Sequence, residues 1–183
     1  MPDTTITELL RPDGHLAVAG RGVAVAPGLD AVPRRRVPSV YADPLAWLVL
    51  DAVEQAIDDC ADNLAAVKDS VGHIAVSDYC TTHTMLGIAA TVADGHISPL
   101  RFSGANPGAV AGLSCQLLAL CGPSTTLSMP PYAGLPTAVA LARMWLRQGA
   151  AEYMIISTHH TGDQGHHTIS STVLGPRDRS EPT

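Results

Sequence analysis

VAGLSCQLLALCGPSTTLSMPPYAGLPTAVALARMWLRQGAAEYMIIST, residues 110–158, carries the alternation that decides the fold. Its first eleven residues are apolar almost all round, which marks a helix buried on several sides. Gly122 and Pro123 are the expected stop. Residues 125–128 predict a strand, Met129, Pro130, Pro131 and Tyr132 a turn, and residues 133–148 a helix ended by Gly149. Residues 152–158 (EYMIIST) predict a further strand. Helix, strand, helix, strand is the order of an α/β domain.

Upstream, residues 15–25 (HLAVAGRGVAV) form an apolar run broken by glycines, the pattern of a buried first strand. Residues 26–41 are punctuated by Pro27, Gly28, Pro33 and Pro38 and read as a loop around Arg34, Arg35 and Arg36. Asp43 is the expected N-cap of a helix with Pro44 in its first position. Leu45, Leu48, Val49, Ala52, Val53, Ala56, Ile57 and Cys60 make one helical stripe. Asp51, Glu54, Gln55, Asp58, Asp59 and Asp62 make the opposite, polar one. Residues 73–77 (HIAVS) predict a second strand, and Asn106-Pro107 opens the helix that leads into the decisive stretch. Residues 80–97 fit helix and strand equally, since a short apolar run does not discriminate. A His-rich loop, a short apolar run at 169–174 and a polar tail, PRDRSEPT, complete the chain. One domain over residues 1–176 and a frayed tail over 177–183 are expected.

The 183 residues are 46% hydrophobic and 15% charged, with a net charge of −6. That composition excludes general disorder and disfavours a nucleic-acid partner, whose phosphates select basic faces. No apolar run reaches the roughly 18 residues of a membrane span. The first residues, MPDTTITELLRPDG, lack an apolar block, so a cytoplasmic location is expected. Cys60, Cys80, Cys115 and Cys121 follow no metal or disulfide-framework spacing and read as reduced thiols. So small a charged fraction also suggests a surface partly covered by another subunit.

Three stretches together resemble the N-terminal half of a β-ketoacyl synthase, a condensing enzyme of the thiolase-like fold. They are HLAVAGRGVAV, like that family's first strand and Gly-rich turn; residues 98–128, similar to its loop, dimer-region helix, Gly-Pro turn and strand; and residues 134–157, similar to the helix behind its nucleophile and the strand after it. The resemblance implies a mixed five-stranded sheet with helices on both faces. It also implies a homo-oligomer, or a heterodimer with a ketosynthase, and an acyl carrier protein as a further partner. No cofactor or metal is implied.

The departures from the pattern bear on activity. Where the family has a strand ending in Ser, then Thr-Ala-Cys and a Gly-Leu pair, this chain has LSMPPYAGL, residues 127–135. Pro131 falls at the cysteine. Condensation needs a thiolate at a helix start, where the helix dipole lowers its pKa. Proline has neither a nucleophile nor an N–H to help bind an oxyanion. The family's catalytic histidines, or His and Asn, lie in its C-terminal half, beyond the matched residues. The expectation is therefore a non-catalytic protein like the chain length factors of type II polyketide synthases, with Ser128, Met129, Pro130, Pro131 and Tyr132 shaping an acyl pocket. A plain helix-initiating turn is the alternative for those five residues.

A repurposed small enzyme is the alternative for the whole chain, with Cys80, His83, His159 and His160 as its candidate groups. Cys80 and His83 would form a thiol–imidazole pair if their segment is helical, while a buried core cysteine is the plainer reading. His159, His160, Asp163, His166 and His167 are read as a solvated loop. They match no closed zinc module, although their side chains suit acid–base work near neutral pH. The three arginines at 34–36 either steer an acidic carrier protein or are a solvated loop.

Overall fold

The computed structural model describes residues 6–10, 16–33, 35–38, 40–92, 95 and 98–177. Strands β1 (Leu16–Ala26), β2 (Val71–Val76), β3 (Ser124–Leu127), β4 (Tyr153–Thr161) and β5 (His167–Pro176) form one mixed sheet in the order β1-β5-β4-β2-β3. β2 is parallel to β3 and β4, and β5 is antiparallel to β4 and β1. Connection length explains the senses. Five residues join β4 to β5, enough only for an antiparallel return, whereas parallel neighbours need a crossover of a dozen residues or more. The six helices are α1 (Ile6–Leu10), α2 (Pro44–Asp58), α3 (Thr82–Val92), α4 (Pro99–Ser103), α5 (Ala109–Leu118) and α6 (Pro131–Arg147).

Strand periodicity divides the core in two. Ile155 of β4, with Val71, Ala75, Ile169 and Val173, faces α2 and α5. Its neighbours Met154 and Ile156, with Ile74, Val76 and Leu174, face Ala138, Val139 and Ala142 of α6 and Ile6 and Leu10 of α1. Helices thus cover both faces of the α/β sheet, as expected.

α2 begins as its sequence predicts. Asp43 accepts the Leu45 N–H at 2.9 Å, with Pro44 in the first turn. The helix lies close along β1. A Cβ on Gly20 would stand 2.2 Å from the Ala56 carbonyl oxygen, and one on Gly22 2.2 Å from that of Ala52. The two glycines are therefore interior strand residues rather than a turn, and they let helix and strand backbones approach. α2 also blunts β1, an outer strand of the sheet. Asp59 accepts the Arg21 N–H at 2.9 Å and Gln55 that of Val23 at 3.2 Å.

The stretch left open between helix and strand is helical over residues 82–92, and several other expectations are corrected. α5 stops at Ala119, which adopts the left-handed region (φ 55°), and the Leu120 N–H closes on the Cys115 carbonyl at 2.9 Å. Gly122 serves close packing instead, since a Cβ there would lie 2.6 Å from the Val71 carbonyl carbon. α6 starts at Pro131, two residues before the expected Ala133. His159 and His160 are not in a loop but belong to β4, and His167 opens β5. From residue 178 onward the tail lies outside the described residues, as does Arg34.

Candidate functional site

Because β2, β3 and β4 are parallel, their C-terminal ends meet at one edge of the sheet. Val76 pairs with both Leu127 and Thr158, so the next residues, Ser77, Ser128 and His159, emerge side by side. The Ser77 N–H donates to the Leu127 carbonyl at 3.1 Å. α6 starts just beyond Ser128, and Pro131 is its first residue. Tyr132 is therefore the first α6 residue with an N–H to offer. Ala133 and Gly134 spend theirs on the Pro130 carbonyl at 3.0 and 2.9 Å.

The five pocket candidates part company at this point. Ser128 is exposed, and its hydroxyl lies 3.4 Å from the Cys80 sulfur. Met129 packs against the α6-side core beside Leu127 and Leu135. Pro130 and Pro131 are half-buried, and Tyr132 is 79% exposed. A groove of about 490 Å³ runs between β1 and α2, and one of about 320 Å³ lies between residues 40–42 and α5. None of the five residues lines either groove.

Cys80 sits in a left-handed turn (φ 46°) before α3. Its thiol donates to the Ser77 carbonyl at 3.0 Å, and burial pushes its pKa up, so the resting species is a thiol rather than a thiolate. His83 is in the first turn of α3 and pairs with Asp30 at 3.4 Å. The conditional Cys80–His83 pair is therefore not formed, and Cys80 is the buried cysteine of the plainer reading. The sulfur lies before the helix, turned towards Ser77 and Ser128, while the imidazole is engaged with Asp30.

The sequence did not foreshadow what His159 and His167 do. The Ser77 hydroxyl oxygen accepts the N–H groups of Tyr79 and Cys80 at 3.1 and 2.9 Å and lies 2.8 Å from His159 Nδ1. Both lone pairs of that oxygen are taken, so its proton must point at Nδ1. His159 Nε2 then carries a proton, which it donates to His167 Nδ1 at 2.9 Å. The two rings are nearly parallel (9°) with centroids 5.1 Å apart, and the Tyr79 ring meets both edge-on. Burial lowers the His159 pKa to about 4 and also lowers that of His167. His160, one residue on, faces outward, as does His166. Among the described residues no three His, Cys, Asp or Glu side chains converge to hold a metal ion.

Two further polar groups lie deeper. Asp43 is fully buried, and one carboxylate serves two helices. Its second oxygen accepts the Thr84 N–H of α3 at 2.8 Å. His73, also fully buried, lies 2.7 Å from the Ser114 hydroxyl and 2.9 Å from that of Ser157, which in turn meets Ser171 at 2.7 Å. This ladder fastens α5 to β2, β4 and β5. Arg35 is bound by Asp51 at 2.9 Å and by Glu54 at 2.7 Å, so its charge is spent within the chain. Single polar residues set in apolar strand runs, such as His73 in β2 and Ser157 in β4, were the available signal for the ladder.

No family model and no curated protein matches this sequence. Solved structures do. The ishigamide ketosynthase/chain length factor aligns at TM-score 0.68 and 14% identity, over 92% of this chain and 63% of that one. A type II polyketide synthase acyl-carrier protein in complex with its ketosynthase bound to the hexaketide aligns at 0.66 and 15%, over 89% and 63%. A ketosynthase in complex with its chain length factor from Xenorhabdus doucetiae aligns at 0.59 and 10%, over 90% and 80%. This chain thus spans less than two thirds of the length of the first two. The likeness shows that this chain shares the fold of the matched part of those structures. Among the described residues no helix is long and apolar enough to cross a membrane.

Proposed function

We propose that this chain is a non-catalytic, ketosynthase-like accessory protein of a polyketide or fatty-acid-type pathway. It pairs with a ketosynthase or an acyl carrier protein, or with a second copy of itself, and shapes an acyl pocket around residues 128–132. The observation that carries the reading is Pro131 as the first residue of α6. A helix start is where a thiolate would be stabilised, and here it holds two successive prolines. The thiol beside Ser128, that of Cys80, is buried and protonated. Apolar side chains left in solvent on α3, α4 and α6, including Leu86, Phe102, Tyr132 and Met144, support a covered surface in the working assembly.

The test is to mix the purified chain with a ketosynthase and a carrier protein encoded beside it and follow size-exclusion chromatography with light scattering. A stable complex, or a self-associated species, with no acyl group retained on the isolated chain is expected. A stable monomer that binds neither protein would overturn the pairing. A covalent thioester formed on the isolated chain would overturn the non-catalytic assignment.

The second reading, a repurposed enzyme acting on an acyl intermediate, draws on the hydrogen bond from Ser77 to His159. Both lone pairs of the serine oxygen are already occupied by backbone N–H groups, which leaves none for attack on a carbonyl. Loss of pathway product in His159→Ala with partner binding intact would nevertheless favour the enzyme.

A further inference from the structure

We propose that the Ser77–His159–His167 chain is a proton-operated latch that ties the end of the β4–β5 hairpin to the turn carrying Cys80 beside Ser128. The argument is one of hydrogen-bond polarity. Every donor and acceptor between the Tyr79 and Cys80 amides and His167 Nδ1 is used in one direction only. A proton added at His159 Nδ1 would face the Ser77 O–H. A proton added at His167 Nδ1 would face the His159 Nε2–H. Either puts two donors nose to nose in a buried place, where an unmatched polar contact is costly. Ser77 cannot adapt by turning its hydroxyl, because two backbone amides already occupy its lone pairs. The proton is therefore admitted only as the link parts.

The surrounding charges do not cancel this. Asp78, on the loop after β2, favours a charged His159, whereas His160 of β4 and His167 oppose it. Asp43, ahead of α2, favours a charged His167, and His83 of α3 opposes it. Tyr79, edge-on to both rings, has its own pKa raised by burial and stays neutral. The attractive carboxylates set the pH of opening rather than abolish it. Opening frees Ser77, whose oxygen holds the Tyr79 and Cys80 amides, so the contact between Cys80 and Ser128 at the start of α6 loosens with it. The latch thus makes access to this end of the sheet depend on acidity.

Long-range ¹H–¹⁵N spectra of the imidazoles and amide hydrogen exchange, both followed from pH 7.5 to pH 4 on the intact chain, test this. At neutral pH both rings are expected as the Nε2–H tautomer, and His159 is expected to stay neutral at about pH 5.5, where a free histidine is mostly protonated. As they titrate, protection of the amides of Tyr79, Cys80 and residues 159–167 should fall about tenfold per pH unit for each proton taken up. Amides of Ile74 and Ile155 should keep theirs. In Ser77→Ala, His159 Nδ1 loses its donor and should titrate at higher pH. An Nδ1–H tautomer on either ring of the wild-type protein overturns the latch. So does titration with protection retained, or an unmoved His159 titration in a folded Ser77→Ala protein.

Discussion

Replacing Asp43 should uncouple two helices at once. Its oxygens accept the Leu45 N–H at 2.9 Å and the Thr84 N–H at 2.8 Å, and the residue is fully buried. Water cannot stand in for either bond without rearrangement. Removing an N-cap costs about 1 kcal/mol, and a hydrogen bond to a charged acceptor is worth about 1.5–3 kcal/mol. Asp43→Ala should therefore lower stability by about 2–4 kcal/mol. For a chain of this length, that is a fall in Tm of roughly 5–15 °C. Asp43→Asn keeps an oxygen for Leu45 but sets its amide donors against the Thr84 N–H, so it should lose the link to α3 while α2 stays capped. Urea unfolding followed by the fluorescence of buried Trp47 on α2 would give the midpoints at unchanged slope. Hydrogen exchange would show whether the first turn of α3 opens before α2 in Asp43→Asn. An alanine variant within about 0.5 kcal/mol of wild type would refute the reasoning, as would equal loss of protection in both helices of the asparagine variant.

His73 should make the protein acid-sensitive in its own right. Its folded pKa of about 4 lies below the ordinary 6.5, so the unfolded chain binds the proton first. Its contribution is then complete above about pH 6.5 and is lost as pH falls towards 4, by about 3 kcal/mol. A stability-versus-pH curve for His73→Asn that is as steep in that window as wild type would contradict this. Gly22→Ala would drive a methyl to 2.2 Å from the Ala52 carbonyl oxygen and 2.5 Å from the Ala56 nitrogen, and should cost about 3 kcal/mol by thermal unfolding. A fully stable variant would mean that α2 does not rest on β1 there. Arg35→Ala should cost under about 1 kcal/mol, because the Asp51 and Glu54 pairs are solvated and screened. A larger loss in 1 M salt would show that Arg35 acts through packing.

Local patterns were legible wherever one face of an element is polar. α2 declared itself through Asp43, Pro44 and a stripe at helical spacing, and β2, β4 and α6 through apolar runs set between turn residues. The two prolines at the start of α6 were also legible, since they depend on residue type alone. Residues 82–92 were not, because Leu86, Ile88 and Val92 suit either period and tertiary contact decides between them. Nor were His159 and His167 legible as partners. A stretch of histidines reads as a solvated loop unless the strand continues through it and turns alternate residues inward.

The sequence by itself determined the succession α5, β3, α6 and β4, the capped start of α2 and the pair of prolines at the head of α6, all properties of neighbouring residues. Only the tertiary structure decided that Ser77 meets His159, eighty-two positions away, that one buried carboxylate caps two helices, and that His73 is held between Ser114 of α5 and Ser157 of β4. Those contacts depend on which strands lie side by side. Strand order is set by packing the whole sheet between its helices, and no local window of residues encodes it.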